Sequence, residues 1–166
     1  MDTAMNKPIL CLDFDGVIHS YTSGWQGPRT IPDDPVPGAI DFLVEALQHF
    51  RVAIYSSRSH YWFGRRAMKK WLEHHATDWF FDCTSKEQSE AFHALPIPFS
   101  GWTDLVIGLP DVADRGILFG TALPQLIEWP SHKPAAMVAL DDRAITFMGQ
   151  WPDVGQLKKF KPWNKS

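Results

Sequence analysis

Two aspartates, Asp13 and Asp15, stand where an apolar run meets a glycine, in Ile9-Leu10-Cys11-Leu12-Asp13-Phe14-Asp15-Gly16. Four apolar residues predict a buried strand, and the i, i+2 spacing puts both carboxylates on one side of an extended chain. Gly16 lets the chain turn sharply away. Burying unpaired charge is costly, so packing alone does not explain two acids at the mouth of a core strand. A bound cation or proton-transfer chemistry does. Hydrophobic-run-then-carboxylate recurs near the other end of the chain, where residues 135–140 lead into Asp141-Asp142-Arg143, and the run at 51–55 ends in Ser56-Ser57-Arg58.

The elements that position these groups alternate between strand and helix. A strand is expected over 8–13, then a long loop over 17–38 rich in Gly, Pro, Ser and Asp. Pro37-Gly38 opens a helix, with Pro tolerated in its first turn, and Ile40, Leu43, Val44 and Leu47 give it an apolar stripe of helical period. A second strand is expected over 51–55 and a second helix over 61–75, with Phe63, Ala67, Trp71 and Leu72 on one side. Residues 79–83 suggest a short strand. Ala94 to Pro98 carries two prolines that end a short helical pattern. Residues 105–109 and 117–129 each fit strand or helix, and 135–140 reads as the last strand of the set. Residues 147–151 are expected to start the closing segment, and the basic tail carries Trp163, which can dock on the body. The alternation implies an α/β fold with a mostly parallel sheet, and in such sheets ligands bind beyond the carboxyl ends of the strands.

The length of 166 residues suits one domain, with an irregular insertion around 84–128. Hydrophobic residues make up 45%, enough for a core and too many for a disordered chain. A formal charge of −3 argues against general affinity for nucleic acid or anionic membranes. No apolar run approaches the roughly 18 residues that span a bilayer, and residues 1–8 lack the apolar core of a signal peptide. A cytoplasmic location is the expectation. Two cysteines, Cys11 and Cys83, do not make a disulfide scaffold in a chain of this length.

In their order along the chain these residues resemble the four motifs of the haloacid dehalogenase-like (HAD-like) superfamily. Asp13-Phe14-Asp15-Gly16-Val17 matches the first, Ser56 at the end of strand two the second, Lys133 the third, and the pair Asp141-Asp142 the fourth. The C-terminal half is similar to small hydrolases of bacterial and phage genomes. The resemblance implies a three-layer Rossmann-like parallel sheet with helices on both faces, and little or no cap domain, since 17–38 is only a loop.

It also implies a Mg²⁺-dependent phosphomonoester hydrolase. Asp13 is then the nucleophile that forms an aspartyl-phosphate. Asp15 is the general acid and later the base. Ser56 hydrogen-bonds a phosphoryl oxygen, and Lys133 pairs with the phosphate as a point charge. Mg²⁺ is held by Asp13, the backbone carbonyl of Asp15 and Asp142, with Asp141 supporting; the second acid of such pairs is the usual ligand. Asp at position 15 favours phosphoryl transfer over dehalogenation. The partner implied is a small phosphorylated substrate. A catalytically silent binding module is the alternative from another class. A nucleic-acid end phosphatase is a third, resting on the basic run Arg65, Arg66, Lys69 and Lys70 with Trp62 and Trp71 nearby.

Arg58 is open between substrate contact and pairing with an acid, and Arg143 is expected to pair with an acidic neighbour. His19 and Trp25, in the loop after the first motif, are open between substrate contact and packing. His74-His75 point in different directions on a helix, so helix capping and exposure are expected there rather than metal binding.

Overall fold

The structure, a computed structural model, describes residues 7–96, 111–146 and 148–165. The chain is mixed α/β around a three-stranded parallel sheet in the order β2-β1-β3. β1 (Ile9–Leu12) lies between β2 (Arg51–Ile54) and β3 (Val138–Leu140), with Leu12 opposite both Ile54 and Leu140. This register places the three carboxyl ends level. The ladder runs one step further on each side: the Asp13 N–H donates to the Leu140 carbonyl at 2.9 Å and the Tyr55 N–H to the Leu12 carbonyl at 3.0 Å. Asp13, Ser56 and Asp141 therefore leave the sheet along one edge. Outside β2 the chain returns at Glu128, which exchanges 2.9 Å bonds with Val52 and Ile54 as a single parallel bridge.

The first helix, α1 (Ala39–His49), buries Ile40, Leu43, Val44 and Leu47 as its stripe predicts. The second, α2 (Trp62–Asp82), is 21 residues long and outruns the expected 61–75. Its buried face is Gly64, Met68, Trp71, Leu72, Ala76 and Phe80, while Phe63 and Ala67 are only half-buried. The short strand expected over 79–83 is absent, because α2 continues to Asp82. Phe80 follows Ala76 by four residues, and its ring lies 5.2 Å from Phe119 and 5.0 Å from Phe92, while Trp79 stacks on Phe119 at 5.4 Å. Those partners, distant in sequence, satisfy helical spacing, which strand alternation would split across two faces.

The stretch expected to be irregular is helical where it is described. α3 (Ser85–Ala94) starts on a capping box in which Thr84 and Glu87 satisfy each other's backbone N–H groups. α4 (Val112–Ala122) starts on Asp111, whose carboxylate accepts from the Ala113 N–H. A 3₁₀ turn, Leu123–Gln125, follows it. The region 117–129 is thus mainly helical. α4 packs closely along α2 at Gly120, where a Cβ would overlap Thr77 Oγ1. Residues 105–109 and Phe147 lie outside the described residues.

Parallel strands usually carry cover on both faces, yet all three residues of β3 are exposed. The three-layer arrangement is therefore not met around β3 among the described residues. Past β3 the chain forms a short turn of helix, α5 (Val154–Leu157), and a 3₁₀ turn, Trp163–Lys165. That last turn docks on the loop after β1. Trp163 Nε1 donates to the Gly16 carbonyl at 2.8 Å, Asn164 Nδ2 to the Ser20 carbonyl at 3.1 Å, and Lys165 Nζ to the carbonyls of Tyr21 and Thr22. Among the described residues no helix is long and apolar enough to cross a membrane.

Candidate active site

At the carboxyl edge of the sheet lies a cavity of about 250 Å³ lined by Asp13, Asp15, Ser56, Lys133 and Asp141, with Tyr21, Tyr55 and Arg143 among its other walls. The level strand ends account for this convergence. Among the described residues, none from 84–96 or 111–128 lines the cavity.

Asp13, Asp141 and Asp142 bring one carboxylate oxygen each to within 4.8 Å of one another. The Asp142 side chain is fully buried, and neither of its oxygens has a hydrogen-bond partner. Its ion pair with Arg143 Nε is long, at 3.7 Å. Asp141 differs, since Oδ1 accepts the Arg143 N–H at 2.9 Å. Asp13 Oδ1 accepts the Phe14 N–H at 2.7 Å. Burial pushes the Asp13 carboxyl up to about 7; the Phe14 N–H opposes this, and Asp141, Asp15 and Asp142 add to it. Burial also raises Asp142, against the pull of Arg143. Three crowded carboxylates, one of them buried with both oxygens unsatisfied, form a hard oxygen donor set that fits a divalent cation such as Mg²⁺ or Ca²⁺. It is the one such group among the described residues.

Gly16 makes this packing possible. It has φ +95, and a Cβ there would come within 2.5 Å of Asp142 Oδ2. Glycine alone meets both requirements at low cost.

The Asp15 side chain is held from the other side. Arg58 Nε lies 2.9 Å from Oδ2 and 3.1 Å from Oδ1, and His19 Nδ1 lies 2.9 Å from Oδ1. Arg58 is fully buried and its Nη1 donates to the carbonyls of Gly27 and Thr30, while Trp25 lies over its guanidinium at 4.8 Å. The open choice for Arg58 thus falls to the acid, and Trp25 packs on Arg58. His19 is buried and contacts Asp15, not the cavity. Arg143 pairs with Asp142, as its sequence context implies.

Ser56 is buried and caps the 3₁₀ turn Ser57–His60: its Oγ accepts the Arg58 N–H at 3.0 Å, which leaves its own hydroxyl hydrogen available to a ligand. Lys133 is exposed at the cavity wall. Cys11 is a buried free thiol at the same cavity, raised above its usual range by burial. Of the basic run, Arg65 donates to the Ser59 carbonyl and Lys69 lies over Trp129, leaving Arg66 and Lys70 exposed. His74 is exposed and pairs with Asp78 at 3.4 Å, while His75 is half-buried against Trp71, with the two rings 5.0 Å apart. The helix capping expected of them is not met, because α2 runs on to Asp82.

Asp33 is the polar neighbour that sequence reasoning missed. Its backbone N–H reaches His19 Nε2 at 3.3 Å and its carbonyl accepts Trp71 Nε1 at 3.1 Å. In sequence it is one of several acids in a turn-rich loop, and only the closure of that loop brings it to His19.

A comparison with protein-family models gave no match, and comparisons with curated proteins and with solved structures gave none either.

Proposed function

We propose that the protein is a Mg²⁺-dependent phosphomonoester hydrolase of the HAD-like kind, acting through an aspartyl-phosphate on Asp13. The observation that carries this is the buried Asp142 carboxylate, unsatisfied on both oxygens, facing Asp13 and Asp141 in one cluster. Such a group is stabilised by a hard cation, and Asp15, Ser56 and Lys133 line the cavity beside it. When bound by Asp13, Asp142 and the Asp15 carbonyl, with Asp141 beside them, Mg²⁺ supplies positive charge that favours ionised Asp13 and offsets the charge of a phosphate dianion.

The chain's own groups then divide the work. An Asp13 oxygen attacks phosphorus, forming the O–P bond as the bond to the leaving oxygen breaks. Asp15 gives its proton to that oxygen, then takes one from the water that attacks the aspartyl-phosphate. That second attack breaks the Asp13–phosphorus bond and releases inorganic phosphate. The Ser56 hydroxyl donates to a phosphoryl oxygen and the Lys133 ammonium offsets charge on it. Among the described residues the cavity is walled by strand ends and the loops that adjoin them, which fits a small phosphorylated substrate.

The test is release of phosphate from a panel of aryl, sugar, nucleotide and terminally phosphorylated oligonucleotide esters, with and without Mg²⁺. Turnover that needs Mg²⁺ supports the proposal. Absence of turnover across the panel, together with absence of Mg²⁺ binding, favours a binding module on the same fold.

A further inference from the structure

An acid that protonates a leaving group must present one oxygen to it in a fixed direction. Asp15 has two partners that could fix it, Arg58 and His19, and neither has a place in the mechanism above. His19 is fully buried in an aromatic cage: it stacks on Phe14 at 5.6 Å and meets Trp71 and Tyr21 edge-on at 5.6 and 5.9 Å. The backbone pins it as well, since the Gly16 N–H donates to the His19 carbonyl at 2.8 Å and the His19 N–H to the Phe14 carbonyl at 2.9 Å. A histidine so enclosed has little freedom to change rotamer.

Its two ring nitrogens face different groups. Nε2 accepts the Asp33 N–H at 3.3 Å. The Asp33 carboxylate is slightly farther, with Oδ2 at 3.4 Å, and is oriented towards Ser23, whose N–H and hydroxyl it accepts. With the Nε2 lone pair occupied, a neutral ring carries its hydrogen on Nδ1. Nδ1 then donates to Asp15 Oδ1 at 2.9 Å. Arg58 Nε carries one hydrogen and lies closer to Oδ2, at 2.9 Å, than to Oδ1, at 3.1 Å, so His19 is the principal donor to Oδ1 and Arg58 to Oδ2.

We infer that His19 is a positioning residue for Asp15: held as its Nδ1–H tautomer by the Asp33 backbone, it anchors Oδ1 while Arg58 anchors Oδ2, and the two together fix the direction in which the carboxyl group meets the leaving oxygen. The inference rests on the phosphatase proposal for its catalytic consequence and on geometry alone for the tautomer. Trp71 extends the chain of contacts, because its Nε1 bond to the Asp33 carbonyl ties the loop to α2. His19 touches no substrate in this account.

Two measurements test it. The first compares His19→Asn, whose amide nitrogen replaces Nδ1, with His19→Leu, which donates nothing. Each is assayed on an alkyl phosphate, which needs a proton at the leaving oxygen, and on a dinitrophenyl phosphate, which does not. His19→Leu is expected to lose about a hundredfold in kcat on the alkyl ester, less than about threefold on the aryl ester, with KM little changed, and His19→Asn to recover most of the loss. Equal losses on both esters overturn the positioning role.

The second measurement is ring-¹⁵N NMR of the wild-type protein at neutral pH, with His19 assigned from the signals missing in His19→Asn. Nδ1–H is expected. An Nε2–H ring or an imidazolium overturns the inference. This second readout stands even where His19→Leu fails to fold, and it separates failure of the inference from failure of the phosphatase proposal, which a wild type inactive on both esters would signal.

Discussion

The Asp142 carboxylate packs against the bare Cα of Gly16, so close that a Cβ on residue 16 would lie 2.5 Å from Oδ2. The turn that follows the first two aspartates and the acid that ends the last strand are thereby fitted to each other. Gly16→Ala adds a methyl group at φ +95 and pushes Asp142 out of the cluster. A stability loss of about 1–3 kcal/mol is expected from the backbone conformation and the overlap. Mg²⁺ affinity should fall at least tenfold or so if one strong carboxylate ligand is displaced. Urea unfolding and calorimetric Mg²⁺ titration check the two effects separately.

Stability should depend on pH in the direction opposite to that of a salt-bridged carboxylate. The folded Asp13 carboxyl sits at about 7 against an ordinary 3.8. A raised acid binds its proton more tightly when folded. Its contribution is therefore complete below about 3.8 and is lost as pH rises towards 7. The metal-free protein should lose about 4 kcal/mol across that window from this group, with Asp142 acting in the same sense. Asp13→Asn should flatten the slope. Mg²⁺ at a hundred times its Kd should return about 2.7 kcal/mol at pH 7.5. Thermal unfolding across pH, with and without Mg²⁺, measures all three.

Arg58 is the buried counter-charge of Asp15, with its Nη2 unsatisfied beneath Trp25. Removing it leaves Asp15 buried with His19 as its remaining side-chain partner. Arg58→Ala is expected to cost about 3–5 kcal/mol. The double variant Arg58→Ala with Asp15→Asn should recover part of this loss, and chemical denaturation of the four species gives the coupling directly.

The terminal turn braces the loop after β1, and one of its bonds comes from the Trp163 indole. Trp163→Phe keeps a ring and deletes the donor to the Gly16 carbonyl. A loss of about 1 kcal/mol is expected in denaturation. Hydrogen exchange at residues 16–22 should become faster, because the same turn also holds Ser20, Tyr21 and Thr22.

The candidate site was largely legible from sequence because its residues sit at strand ends, where an apolar run followed by acids is a local pattern. Register then did the rest: Leu12 opposite Ile54 and Leu140 is enough to bring Asp13, Ser56 and Asp141 together. The α1 stripe was legible for the same local reason. The 79–83 segment was not, since Phe80 owes its helical conformation to Phe92 and Phe119, which no local pattern announces. Arg58 stayed open between substrate and acid because Asp15 lies 43 residues away in sequence, and Asp33 reaches His19 only once the loop has closed. The exposure of β3 is contrary to its apolar sequence, and the described residues give no physical account of it.

The central claim is that Asp13 becomes phosphorylated. The most direct test is mass spectrometry of the acid-quenched protein during turnover of an aryl phosphate with Mg²⁺, in wild type and in Asp13→Asn. One phosphoryl group on the peptide that carries Asp13, absent without Mg²⁺ and absent in the variant, is the predicted result. Steady release of phosphate with no phosphoryl group at residue 13, or release that survives in Asp13→Asn, would contradict it.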